Sequence, residues 1–284
     1  MAIFIFQIIF VLSLKKCKTS VSLVTIILTA FNSEKYIETS IQSVLKQTFR
    51  DWNLIITDDC SSDKTLKIAK RYAENNSKIS ILEIPINSGG PARPRNLGVS
   101  ISLSPWVGFL DADDVWHPQK LEFQLDVLSK TRYRFCSTLM IDFVNNQDLS
   151  IKTYKDYKLK KVSFLSQLIK FKTPTSSVVA ARELLIKYPF NESPSFVARE
   201  DMVCWLSCHD QEKETIKIMS PLVFYRKTNN QISRYKIIMM KKHFMALNNY
   251  KFKNNKMPRI LLALIFTFTH IIFSIYNRQV RRRL

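Results

Sequence analysis

Apolar residues fall in short uninterrupted runs, separated by segments in which they recur every three or four positions. The first run, VSLVTIIL from Val21, is β-branched, uncharged and eight residues long, the pattern of a strand buried on both faces. Residues 33–47 then place Tyr36, Ile37, Ile41, Val44 and Leu45 on one helical stripe, with Asn32 or Ser33 as N-cap. DWNLIITDD predicts a second strand, and Ser62 through Ala73 a second helix carrying Leu66, Ile68, Ala69 and Tyr72 on one face. ISILEIP is a third strand, Arg93 to Leu103 a third helix, and WVGFLDADD a fourth strand. This alternation predicts an α/β fold with a doubly wound, mostly parallel, Rossmann-like sheet. Its ligands belong at the carboxyl ends of the strands.

Composition narrows what such a sheet can bind. The chain has 284 residues, 46% of them hydrophobic, enough for one large domain with an appendage. It has only four glycines, Gly89, Gly90, Gly98 and Gly108. Neither a G-x-G-x-x-G dinucleotide fingerprint nor a Walker A loop can be assembled from them, so a phosphorylated ligand needs another source of positive charge. The five cysteines are odd in number and contain no C-x-x-C pair, which argues for a reducing compartment. Cys204, Cys208 and His209 cluster on a predicted helix and are read as buried side chains rather than a metal site.

Charge divides the chain. The net charge is +20, the last acidic residue is Glu214, and residues 215–284 carry fifteen Lys or Arg and no carboxylate. Within this tail, Ile260–Tyr276 is an apolar run of seventeen residues with Lys251, Lys253, Lys256 and Arg259 before it, and Arg278 and Arg281–Arg283 after it. Thr267, His270 and Ser274 give the run one polar edge. A basic amphipathic helix lying on an anionic membrane surface is expected, the alternative being a helix packed on the globular body. No RNA- or DNA-binding motif is present, so nucleic acid is not an expected partner. The first fourteen residues, MAIFIFQIIFVLSL, are almost wholly apolar. As a helix they would reach about 21 Å, short of a bilayer core of roughly 30 Å. An extension from an upstream start codon is the preferred reading. A short membrane-dipping anchor and an extra core segment are the alternatives.

Candidate chemistry gathers at one edge. Strand two ends at Asp58 and Asp59, with Asp63 in the following loop, and strand four ends at Asp111, Asp113 and Asp114. Carboxylates crowded at a strand edge repel unless a cation joins them, and hard oxygen ligands suit Mg2+ or Mn2+. A divalent ion completed by substrate phosphates would replace the missing glycine loop. Asp63 and Asp114 are also read as turn or cap residues.

These residues carry a resemblance. TIILTAFNSEKYIETSIQSVLKQTF, WNLIITDDCSSDKT, NSGGPARPRNLG and WVGFLDADDVWHPQKLE, in this order, resemble the nucleotide-sugar half of glycosyltransferase family 2, which has the GT-A fold. FVAREDMVCWL resembles the acidic pair of its acceptor half, so the likeness covers roughly residues 21–230. It implies an inverting, metal-dependent transfer from a nucleotide sugar, with a UDP-sugar expected, to a hydroxyl of a glycan or glycolipid. Relatives of this kind build lipopolysaccharide, O-antigen or capsule on the cytoplasmic face of the membrane. By the resemblance, Thr29 and Phe31 contact the nucleobase, Asp59 pairs with it, and Arg95 lies near the diphosphate. Asp111 and Asp113 match the D-x-D motif, Asp113 binding the metal directly and Asp111 lying toward the ribose. Asp201 matches the general base, and Glu200 orients the acceptor or the helix.

The chain departs from the family pattern at Cys60, where a glycine is usual, and at Thr29-Ala30, where a proline is common. The histidine that helps hold the metal in some relatives is missing from Tyr225-Arg226-Lys227-Thr228 and from Gln231-Ile232-Ser233. Arg226 or Lys227 is expected to steady the diphosphate instead. The expected organisation is an N-terminal segment at 1–20, a transferase domain at 21–233 divided near 124, and the tail at 234–284. A sugar nucleotidyltransferase and a non-catalytic nucleotide-sugar binder at the membrane are the competing readings. The former usually needs a glycine-rich basic loop where this chain has TAFNSEKY at 29–36.

Overall fold

The first apolar run becomes β1 (Val24–Ala30), an interior strand covered on both faces. Ile26 and Leu28 enter one apolar layer with Ile37, Ile41 and Val44, while Ile27 enters the opposite layer with Val99 and Phe109. That two-sided burial is why the run contains no charged residue and why its Thr25 is buried. In the computed structural model, which describes residues 21–169, 173–227, 236–250, 260–269 and 272, β1 pairs in parallel with β2 (Trp52–Asp58) and β4 (Trp106–Asp111). β2 pairs in parallel with β3 (Ile79–Glu83). The crossovers are α1 (Ile37–Leu45), α2 (Thr65–Glu74) and α3 (Ala92–Ile101).

Two of these helices begin later than their periodicity predicts, for the same reason. Side chains at the start of each stripe bond to the facing loop instead of capping a helix. Asn32 sits at φ 45°, and its side-chain oxygen accepts the Ser62 N–H at 2.8 Å. Asp63 accepts the Thr65 N–H at 2.9 Å and the Glu34 N–H at 3.0 Å, which ties its own loop to the one after β1.

The second half extends the sheet with strands whose places depend on distant partners. After β5 (Val115–Trp116) and α4 (Lys120–Lys130) come β6 (Phe135–Phe143), β7 (Leu159–Ser163), α5 (Phe164–Ile169), β8 (Val179–Ala181), α6 (Arg182–Lys187), α7 (Glu200–Glu212) and β9 (Glu214–Arg226). The strand order is β3-β2-β1-β4-β8-β6-β9-β5, with β7 also on β9 and β8 antiparallel to β4. β9 runs beside β6 with a register shift around Leu139, where it places Pro221, a residue with no N–H to donate to a ladder. Its far end then pairs with β5 and brings Arg226 to the end of β4.

α7 is anchored by Trp205. The indole lies 5.8 Å from the Phe109 ring, 5.3 Å from Phe135 and 5.1 Å from Phe190, centroid to centroid. Cys204, Cys208 and His209 are buried in this region, and burial pushes the His209 imidazole down to about 4. The ring is neutral, with Nδ1 2.6 Å from the Trp205 carbonyl oxygen and Nε2 2.9 Å from the Thr215 hydroxyl.

Part of the tail packs on the globular body. α8 (Lys236–Asn249) and α9 (residues 260–269) bury Ala246, Leu247 and Ala263 in one cluster with Met202 and Leu206 of α7. Ile260, Leu261, Leu264, Ile265 and Phe268 remain exposed. No described helix is long and apolar enough to cross a membrane. Residues 1–20, and His270 and Ser274 of the expected polar edge, lie outside the described residues.

Gly98 sets how closely α3 approaches β1. A Cβ there would lie 2.8 Å from Ile27 Cγ2. Gly98→Ala gains about 1 kcal/mol of helix propensity but overpacks a buried contact, and a net loss of roughly 1–2 kcal/mol is expected. Urea unfolding checks this, and an unchanged or raised midpoint contradicts it.

Candidate active site

Parallel pairing aligns the ends of three strands. Thr29 lies in register with Asp111 on one side and Thr57 on the other, and Ala30 with Asp58. The acidic residues of β2 and β4 therefore share one edge, as the alternation implied. Phe31, just past β1, is exposed there.

The Asp111–Asp114 turn is held from several sides. The Asp114 N–H donates to the Asp111 carbonyl at 3.0 Å, and Ser40 Oγ lies 2.7 Å from the carbonyls of both Ala112 and Asp114. Thr29 Oγ1 donates to Asp111 Oδ1 at 3.1 Å. Asp114 is buried, accepting the Ser176 hydroxyl at 2.6 Å and the Arg226 N–H at 3.2 Å. It serves as a structural tie. Burial raises its carboxyl well above the usual range, and Asp113 and Asp111 add to the rise. Asp113 is pushed up to about 6 by burial and by Asp111, against the pull of Arg226.

Arg95 joins this turn to α7. Its guanidinium is buried, donates to Asp111 Oδ1 at 2.7 Å and to Glu200 Oε1 at 2.9 Å, and lies over the Phe190 ring at 5.3 Å. Burial opposes its charge, but Asp111 and Glu200 outweigh that effect and hold it protonated. The next residue, Asp201, opens the first turn of α7. Its Oδ1 takes the Met202 N–H at 2.7 Å, and Thr175 Oγ1 lies 3.4 Å from Oδ2. Burial raises Asp201 to about 7, with Glu200 adding and Arg95 and Arg199 subtracting. Such a carboxylate can take a proton near neutral pH. Arg95 Nε and Glu200 Oε2 are buried without a hydrogen-bond partner. Beside them a shallow depression is lined by Ser88, Gly90, Arg93, Asn191, Ser193 and Glu200.

Three sequence-level assignments look different in three dimensions. Asp59 Oδ1 accepts the Ser88 N–H at 2.9 Å and its hydroxyl at 2.7 Å, so the residue closes the 87–90 loop. A base N–H reaches it only by sharing that carboxylate. Arg226 donates to the carbonyls of Asp113 and Val144 and to the Asn146 side chain, between the rings of Tyr36 and Phe143. It braces the turn from behind. Lys227 pairs with Asp142 at 3.6 Å. The residues with no signal in the sequence were Thr175 and Ser176, which lie between Asp201 and the Asp111–Asp114 turn.

A doubly wound sheet whose acidic edge faces a helix beginning Glu-Asp is the layout of the GT-A glycosyltransferases. The chain belongs to glycosyl transferase family 2, whose model matches residues 25–184, and it is a glycosyltransferase. It is 30% identical, over 85% of its length and 91% of the relative's, to the UDP-Glc:alpha-D-GlcNAc-diphosphoundecaprenol beta-1,3-glucosyltransferase WfgD of Escherichia coli. It is 28% identical, over 75% of its length and 82% of the relative's, to the putative teichuronic acid biosynthesis glycosyltransferase TuaG of Bacillus subtilis. The fold matches S. aureus TarS 1-349 in complex with UDP-GlcNAc, with a TM-score of 0.65 and 20% identity over 88% of this chain and 73% of that one. It also matches the mannosyltransferase PcManGT of Pyrobaculum calidifontis in complex with GDP-Man and Mn2+, with a TM-score of 0.64 and 16% identity over 88% of this chain and 70% of that one.

The raised Asp201 has a stability consequence. Between its ordinary value of 3.8 and about 7, the folded protein holds a proton that the unfolded chain releases, so this group's contribution weakens as pH rises through that window. Asp201→Asn removes the effect. It is expected to raise Tm by several degrees at pH 8.5 and by less at pH 5. Equal shifts at both pH values in thermal melts would contradict the assignment.

Proposed function

We propose that the enzyme moves a sugar from a UDP-sugar to a hydroxyl of a growing, lipid-linked cell-surface glycan, with inversion, at the cytoplasmic face of the membrane. The observation that carries this is Arg95, which bonds both Asp111 of the D-x-D turn and Glu200, the neighbour of Asp201. An in-line displacement needs a stabilised diphosphate leaving group opposite a base.

The residues fit a divalent ion, Mn2+ or Mg2+. Asp113 and Asp111 are hard oxygen donors whose crowding raises Asp113, and a cation relieves that repulsion. Among the described residues no group of three or more His, Cys, Asp or Glu could hold a metal, so donor phosphates would complete the coordination. The ion would supply charge stabilisation to the departing diphosphate. Phe31 offers the nucleobase an exposed aromatic face, and Thr29 and Asp59 offer it polar contacts. Asp111, fixed by Arg95, lies toward the ribose. Asp201 Oδ2 is the oxygen left to take the acceptor's proton, because Oδ1 is engaged by its own helix. The UDP donor and the lipid-linked acceptor of this reading are those of the Escherichia coli relative, a UDP-Glc:alpha-D-GlcNAc-diphosphoundecaprenol glucosyltransferase.

The membrane contact is argued from α9 and its surroundings. The outer face of α9 is apolar and exposed, and the chain beyond Glu214 carries fifteen cations and no carboxylate. Each Lys or Arg near an anionic leaflet contributes about 1 kcal/mol.

Asp113→Ala is expected to abolish Mn2+-dependent binding of a UDP-sugar in calorimetry, and unchanged affinity sinks the metal assignment. Asp201→Asn should lower turnover by roughly 10²–10⁴ and leave donor affinity within a few-fold. Near-wild-type turnover would mean that another group is the base. Leu264→Glu with Phe268→Glu alters only exposed positions. This pair should end sedimentation with anionic vesicles without lowering Tm. Retained binding by the double variant, or wild-type protein that ignores such vesicles, refutes the membrane contact.

A further inference from the structure

The metal-side carboxylates and the base come from distant parts of the sequence, yet one short turn touches both. Thr175, Ser176 and Ser177 are all buried. Ser176 Oγ accepts the Asp111 N–H at 3.1 Å and donates to Asp114 Oδ2 at 2.6 Å. One residue earlier, Thr175 Oγ1 lies 3.4 Å from Asp201 Oδ2. That distance is loose, as such contacts often are before substrate arrives.

The turn is fixed from beneath. Trp116 Nε1 donates to the Ser176 carbonyl at 2.9 Å, and Gln124 Nε2 donates to the Ser177 carbonyl at 3.0 Å. Lys120, fully buried, donates to Gln124 Oε1 at 2.6 Å and lies 3.8 Å from the centroid of the Trp116 ring. Every polar group that α4 and β5 send toward the turn is thus paired. The turn is a rigid platform, not a surface loop.

We infer that the Thr175–Ser177 turn sets the position of Asp201 relative to the Asp111–Asp114 turn, with Thr175 as a positioning residue that steadies the proton-accepting Oδ2. This rests on the reading of Asp201 as the general base. A carboxylate held on one oxygen by its own helix can still swing the other, and the Thr175 hydroxyl is the neighbour that restrains it. Thr175 is buried, and Val, which puts a methyl where Thr has its hydroxyl, keeps the shape and removes only the hydrogen-bonding group.

The test is steady-state kinetics with a UDP-sugar and a lipid-linked acceptor, on Thr175→Val, Thr175→Ser, Asp201→Asn and the double variant Thr175→Val/Asp201→Asn. Thr175→Val should lower kcat about 3- to 10-fold, the scale of one hydrogen bond, while donor KM and Tm stay close to wild type. Thr175→Ser should restore kcat. In the Asp201→Asn background Thr175→Val should cost nothing further, because a residue acting through a carboxylate has no effect once that carboxylate is gone. The same loss in both backgrounds, no rescue by serine, or an unchanged kcat overturns the inference. Wild-type turnover in Asp201→Asn instead removes the base assignment, and the inference falls with it. Ser176→Ala reports on the other arm. It should raise donor KM, and a folded Ser176→Ala protein with unchanged donor KM would show that the turn does not reach the metal side.

Discussion

Everything in the site turns on one buried cation. Arg95 is almost fully enclosed and bonds two carboxylates, Asp111 at the end of a strand and Glu200 at the start of a helix. A buried charge is costly to desolvate and is tolerated only when its partners are well placed. The folded protein therefore fixes the gap between β4 and α7 to the span of one guanidinium. The constraint reaches outward from there. α3 must lie close enough to β1 to deliver Arg95, and Gly98 allows that approach. Phe190 must lie under the guanidinium while packing on Trp205, and Trp205 holds α7 against the sheet.

The same cleft concentrates negative charge beyond what Arg95 neutralises. Asp113, Asp114 and Asp201 are all raised, each first by burial and then by another carboxylate. These shifts mark local destabilisation of the folded state at neutral pH, the usual mark of a site built to receive a cation or a proton. The three groups are nonetheless placed for different tasks. Asp114 is satisfied by Ser176 and the Arg226 N–H, so its burial serves the turn. Asp113 is only partly buried at the open edge, and Asp201 has one oxygen committed and one facing Thr175. The geometry separates a structural tie, Asp114, from two carboxylates, Asp113 and Asp201, that keep an oxygen for other partners, within a set of residues that the sequence lists simply as Asp.

The N-terminal half could be read from the chain because its determinants are local. Strands covered on both faces make uninterrupted apolar runs, and crossover helices make a 3.6-residue stripe. The errors there lay at helix starts, where Asn32 and Asp63 bond across to neighbouring loops that no periodicity encodes. The stretch from Gln124 to Arg199 gave no pattern, and the structure explains why. β8 has three residues and is specified by pairing with β4 and β6, and β7 exists only against β9. Thr175 and Ser176 are short polar residues in such a stretch, indistinguishable there from an ordinary turn. Asp59 and Arg226 show the reverse limit. Their sequence neighbourhoods pointed to a ligand, whereas much of their bonding capacity is spent on Ser88 and on the carbonyls of Asp113 and Val144.

The tail is better understood through α7 than through its own hydropathy. Met202, the residue after Asp201, is buried in the cluster that also holds Leu247 and Ala263, so the helix carrying Asp201, the proposed base, packs directly against the C-terminal helices. An apolar segment of this kind has two uses, and its inner and outer faces are assigned to different ones. The inner face completes the support of α7 and is part of the fold. The outer face, with Leu264 and Phe268 exposed, is free to meet another apolar phase. Under the proposed membrane contact, the surface resting on lipid is backed by the same cluster that supports the base. A lipid-linked acceptor would then approach from the α7 side, and a soluble nucleotide sugar from the sheet edge at Phe31 and Asp111. Approach from two sides suits an in-line transfer, in which the incoming hydroxyl and the departing diphosphate occupy opposite faces of the sugar.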